Sequence, residues 1–155
     1  MFDINKLTKI ERIIYDNMEY VLQTSPDTTK ELMIQKVIDD LQNGSSIAIE
    51  DGGVVLLVHR KTRWLAEIHI FGESSSTRIV RSAINITRYI FENTELNVIY
   101  AHSHNFKFGS IIKKTGWEYM GTIPKSFWDG EKFIDQILVG AVKENFLKFL
   151  EKKKS

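Results

Sequence analysis

The stretch WLAEIHIF, residues 64–71, sets a carboxylate and an imidazole two positions apart. In an extended strand successive side chains alternate between faces. Glu67 and His69 therefore share one face with Leu65 and Phe71, and Trp64, Ala66, Ile68 and Ile70 take the other. A carboxylate beside an imidazole could take the proton from an ammonium group, the step that makes an amine nucleophilic. The same pair also suits a strand whose polar face makes ordinary hydrogen-bonded contacts.

Two further groups carry chemical interest. Ser74, Ser75, Ser76 and Thr77 can cap a helix, and Arg78 and Arg81 then fall in its first turn. Cations there oppose the helix macrodipole by about 0.3–1 kcal/mol each. A phosphate or carboxylate bound at that point explains the arrangement. So does a pair of side chains that reach water or meet Glu73. His102-Ser103-His104 places two imidazoles on one face if its strand continues that far. As metal ligands they lack an identifiable third partner, so no metal is expected.

Periodicity supplies the elements that must position these residues. Leu7, Ile10, Ile14, Met18 and Val21 form one helical stripe over residues 6–23. Thr28 and Glu31 read as a capping box opening a second helix, with Ile34, Val37, Ile38 and Leu41 inward and a stop near Gly44. Residues 46–71 read as a three-stranded meander turned at Asp51-Gly52-Gly53 and at Lys61-Thr62-Arg63. Its middle strand, GVVLLVH, has the continuous apolar run of a strand buried on both faces. A helix over about 77–92, the strand LNVIYAH, a short helix over 108–115 stopped by Gly116, and the strand WEYMGTI follow. SFWDGEKFIDQILVG predicts a hairpin on the type I′ dipeptide Asp129-Gly130. A last helix carries Val142, Phe146, Phe149 and Leu150. The order is ααβββαβαββα, a single mixed α/β domain over 1–155.

Composition narrows the functional classes. The chain is 43% hydrophobic and 26% charged, with a net charge of +1. That balance gives no global attraction to nucleic acid or to a membrane surface. The opening MFDINKLTKIERIIY mixes charges through its apolar positions and does not read as a secretory signal. The chain has no Cys, which excludes disulfides and thiolate chemistry. Cytoplasmic residence is expected. Trp117, Tyr119, Phe127, Trp128 and Phe133 cluster in the last strands, where core and sheet-surface packing is their ordinary use.

The second half resembles the GNAT acetyltransferase superfamily over roughly residues 45–140. The resemblance is carried by Asn105, Gly116-Trp117, Gly121-Thr122, Phe127-Trp128-Asp129-Gly130 and Asp135, in that order. It implies a twisted, mostly antiparallel sheet with splayed central strands, flanked by helices. It also implies acetyl-CoA as cofactor and an amine as acceptor. The family's diphosphate motif, Arg/Gln-x-x-Gly-x-Gly/Ala, falls on Arg78, Arg81, Ser82 and Ala83, with Arg81 where the central glycine belongs. The resemblance further assigns Ile70, Phe71 and Asn105 to the cofactor, Glu67 and His69 to catalysis, and His102 and His104 to the acceptor pocket. The family's thiolate-protonating Tyr is replaced by Ile112, and neither Tyr100 nor Tyr119 matches its position.

Two functions follow from this resemblance. One is an acyl-CoA-dependent N-acetyltransferase acting on a primary amine of a small molecule or protein. The other is a non-catalytic relative of the bacteriophage kind. That protein would act in virion assembly or inside the head through phage structural proteins, and would be located in the virion. An oligomer is compatible with either.

Overall fold

Helix α1, Lys9–Asp16, begins at a reciprocal cap. The Thr8 hydroxyl accepts the Glu11 N–H at 3.2 Å, and the Glu11 carboxylate accepts the Thr8 N–H at 3.0 Å. The computed structural model describes residues 2–18, 27–72, 76–103 and 108–154. The stripe expected over 6–23 is helical only in part, because Asn17 caps the end and its side chain donates to the Ile13 carbonyl at 2.8 Å. Ile14 and Met18 are buried as the stripe requires. Val21 lies outside the described residues.

Helix α2, Lys30–Asn43, starts one residue later than the Thr28–Glu31 box predicts. Thr29 is the cap: its backbone is extended and its hydroxyl accepts the Leu32 N–H at 3.2 Å. Glu31 is thereby displaced from the box position, and its carboxylate accepts from the Tyr15 hydroxyl at 3.3 Å. Gly44 closes the helix in the left-handed region, φ 82°, as its sequence position predicts.

Strands β1 (Ser46–Asp51), β2 (Val54–Arg60) and β3 (Leu65–Phe71) form the expected meander. Helix α3 (Ser76–Asn93) leads to β4 (Val98–Ser103), and α4 (Phe108–Thr115) leads to β5 (Glu118–Trp128). Strand β6 (Phe133–Val142) and helix α5 (Lys143–Lys154) complete the chain. The sheet order is β1-β2-β3-β4-β6-β5. Every pairing is antiparallel except β3 with β4.

The sheet lies between two helical layers. Val54, Leu56, Val58, Ala66, Ile68, Ile99 and Ala101 pack on one face with Ile86 and Ile90 of α3, Ile112 of α4 and Phe146 of α5. Val55, Leu57 and Phe71 pack on the other with Ile14, Met18 and Ile34. Strand β2 is thus buried on both faces, which is why its sequence is continuously apolar.

The β5–β6 hairpin departs from the two-residue type I′ turn. Trp128 pairs with Phe133, leaving a loop over residues 129–132. The Asp129 carboxylate accepts the N–H groups of Glu131 and Lys132, both at 2.8 Å, and so stabilises the wider loop. Asp135 accepts the Lys125 N–H at 2.9 Å where β5 bulges, with Lys125 at φ 50°. Trp117 and Phe127 are buried, whereas Tyr119, Trp128 and Phe133 are exposed.

Candidate functional site

The parallel β3–β4 ladder is short. Leu65 faces Val98, Ala66 faces Ile99 and Glu67 faces Tyr100, and the ladder ends there. Beyond it β3 stays in register with β2, as Ile70 does with Leu56. Strand β4 stays with β6, as His102 does with Leu138. Each strand is held by its outer neighbour, so the two open away from one another. The cleft between them is built by pairing on both flanks.

Glu67 sits at the apex of this opening. Alternation along β3 turns Ala66 and Ile68 into the core under α3 and leaves Glu67 and His69 on the α1–α2 face. Glu67 Oε1 lies 3.0 Å from His69 Nε2, and the Tyr100 hydroxyl donates to Glu67 Oε2 at 3.4 Å. His102 Nδ1 is 3.9 Å from Oε2, with its ring edge-on to Tyr100. The hydrogen bond from His69 holds the Glu67 carboxyl down at about 2, with help from the charges of His69, Lys61 and His102 and against the cost of burial. Tyr100 is pushed up, by burial first and then by the Glu67 charge.

These groups adjoin a groove of about 290 Å³ beside α2 and Met18. Met18, Met33, Val37, Leu57 and Phe71 make its walls apolar, and His59, Lys61, Glu67 and His69 lie along its floor. Of the residues expected at the site, the fold brings Glu67, His69 and His102 together. His104 and Asn105 lie outside the described residues. Tyr100, His59 and Lys61 belong to the cluster although sequence reasoning did not place them there. Tyr100 shares the parity of His102 along β4, but its partner depends on the β3–β4 register. His59 faces Glu67 across the β2–β3 hairpin, a pairing within reach of hairpin counting.

The residues matched to the diphosphate motif lie on α3, as the helix expected over about 77–92 places them. Helix α3 already begins at Ser76, so Arg78, Arg81, Ser82 and Ala83 are helical. The backbone N–H groups of Arg81, Ser82 and Ala83 fall past the first turn and serve the helix. The Ser82 hydroxyl is buried and donates to the Asp51 carbonyl at 2.9 Å. Asn85 donates to the Asp51 carboxylate at 3.2 Å, which fastens the β1–β2 turn to α3. Ala83 is buried beside Ile70, Ile79 and Trp117. Arg78 and Arg81 are exposed and line an open cleft of about 720 Å³ with Lys9 and Asp51. Ile112 is buried in the core, so α4 offers no proton donor at that position.

No family model matches the chain, and no curated protein matches it by sequence. Solved structures do match it. The ribosomal-protein-S5-alanine acetyltransferase of Vibrio fischeri aligns at 10% identity and a TM-score of 0.64, over 94% of this chain and 92% of that one. The spermidine N-acetyltransferase of Vibrio cholerae, solved with CoA and spermine, aligns at 16% identity and a TM-score of 0.63, over 88% and 92%. The chain has the GNAT fold. The splayed β3–β4 pair is the central cleft of that fold, and Glu67, His69, Tyr100 and His102 line its lip.

Acetyl-CoA, the cofactor that a GNAT fold implies, is matched in part by the residues present. The end of the ladder at Glu67 leaves the β3 edge at Ile68–Ile70 open to backbone contacts from an inserted arm. The diphosphate end differs. Arg78 to Ala83 are helical and carry no glycine, and the exposed side chains there include two arginines. Among the described residues no group of three or more His, Asp or Glu could hold a metal ion, and no helix is long and apolar enough to cross a membrane.

Proposed function

We propose that this protein is an acyl-CoA-dependent N-acyltransferase, most simply an acetyltransferase, acting on a primary amine. The observation that carries this reading is the Glu67–His69 pair, set on the lip of the splayed strands and facing a groove open to an acceptor. When bound, acetyl-CoA would supply the acyl group as a thioester. Ile70 and Phe71 would meet its arm through backbone groups. Arg78 and Arg81 would meet its phosphates through side chains in place of a glycine loop.

The two polar residues then divide the work. A carboxyl held at about 2 is ionised at neutral pH and accepts protons poorly. Glu67 therefore attracts the ammonium of the acceptor and orients His69. In its neutral form, with Nε2–H donated to Glu67, His69 keeps its lone pair on Nδ1, and that nitrogen would take the proton from the amine. The neutral amine would attack the acyl carbon of the bound thioester and the carbon–sulfur bond would break; the second proton released from the nitrogen as the amide forms would go to solvent, and solvent would protonate the leaving thiolate, since Ile112 cannot.

Glu67→Gln is expected to lower turnover by about 10²-fold or more with little change in acetyl-CoA affinity. Unchanged turnover in single-turnover assays would remove Glu67 from the mechanism.

The non-catalytic reading has one observation in its favour. The β5–β6 hairpin projects past Ser103, the last residue of β4, and carries an exposed Trp128–Phe133 ring pair with centroids 4.9 Å apart. A projecting aromatic pair suits contact with a protein partner, as virion assembly would require.

A further inference from the structure

We infer that the acceptor is an apolar α-amino acid, with its amine on Glu67 and its carboxylate on Lys61. This rests on the reading of the Glu67–His69 face as the acceptor site and deepens it. The groove walls admit an apolar body, and Met18 and Met33 are the side chains best able to adjust to its shape. The charges along the groove then set the polar ends. Lys36 and Asp40 answer one another at 3.2 Å. His59 is held by the Ser46 hydroxyl at 3.0 Å. That leaves one anion, Glu67, and one formal cation, Lys61, which forms no salt bridge among the described residues.

The strand geometry puts these two charges in reach of one ligand. His59 faces Glu67 across the hairpin, and Lys61 lies two residues further along the same face. Two strand residues span roughly 7 Å, a gap that the flexible lysine stem closes. Lys61 already acts on the Glu67 carboxylate through space. An amine and a carboxylate carried on one carbon of a single ligand match this pair in sign and order. A polyamine does not, because an ammonium near Lys61 would meet a like charge where a carboxylate is needed.

Calorimetric binding to the full chain tests this with L-phenylalanine, hexylamine and spermidine as probes. Phenylalanine is expected to bind about tenfold or more tighter than either of the others. Lys61→Gln, an exposed turn position, should remove the preference for phenylalanine over hexylamine and should not weaken hexylamine. Equal binding of phenylalanine and hexylamine, a preference for spermidine, indifference to Lys61→Gln, or no binding of any probe would each overturn the inference. A parallel acyl-transfer assay separates it from the proposed function. Transfer without this preference rejects the amino-acid assignment alone. The preference without transfer rejects the acyltransferase and keeps the binding site.

Discussion

Glu67 concentrates the chemistry of this chain in one side chain. Its carboxylate faces an imidazole on its own strand and a phenol and a second imidazole on the next. The consequence for stability has a definite sign. A carboxyl held at about 2 in the fold, against an ordinary 4.5, stabilises the folded state fully above 4.5 and progressively less as pH falls toward 2. The gap in melting temperature between the wild type and Glu67→Gln should therefore narrow as pH falls through that window. A constant gap would mean that Glu67 is not held ionised by His69. Period-two alternation was enough to put Glu67 and His69 on one face. Tyr100 was not legible, because its hydroxyl reaches Glu67 only through a register between strands 33 residues apart.

At the scale of the element, short polar residues mark where helices start and hairpins turn, and side-chain contacts fix the position. The Thr-x-x-Glu pattern marks the start of α2 correctly, but two adjacent threonines compete for the cap. Thr29 prevails because its extended backbone aims its hydroxyl at the Leu32 N–H. Thr29→Ala should accordingly cost about 0.5–2 kcal/mol in chemical denaturation, and Thr28→Ala much less. The reverse order would restore Thr28 as the cap. The Asp129-Gly130 dipeptide likewise marks its hairpin, while the Asp129 side chain selects a wider loop than the dipeptide alone predicts. Helix α3 starts one residue before the expected Thr77, and Ser82 and Ala83 on it bury against the β1–β2 turn and the sheet.

At the scale of the whole molecule, the proposed acyl-CoA cleft and the proposed acceptor groove share Glu67 at the β3–β4 opening. If the cleft takes acetyl-CoA, ligand at about 100 times its Kd should stabilise the fold by about 2.7 kcal/mol, a rise in Tm of roughly 5–10 °C. Arg81→Ala should shrink that rise if its guanidinium meets a phosphate. No rise at millimolar ligand would favour the hairpin and a protein partner over catalysis.

The sequence by itself determined the order of the elements, the doubly buried β2 and the shared face of Glu67 and His69. Each follows from backbone periodicity or a turn residue, and these act over a few positions. Only the tertiary structure decided that Glu67 meets Tyr100 and His102, that Lys61 borders the same groove, and that the Ser82 hydroxyl is spent on the Asp51 carbonyl. Those outcomes depend on strand register and on where α3 packs. Both are set by burying the two faces of the sheet at once, and no local run of residues encodes that constraint.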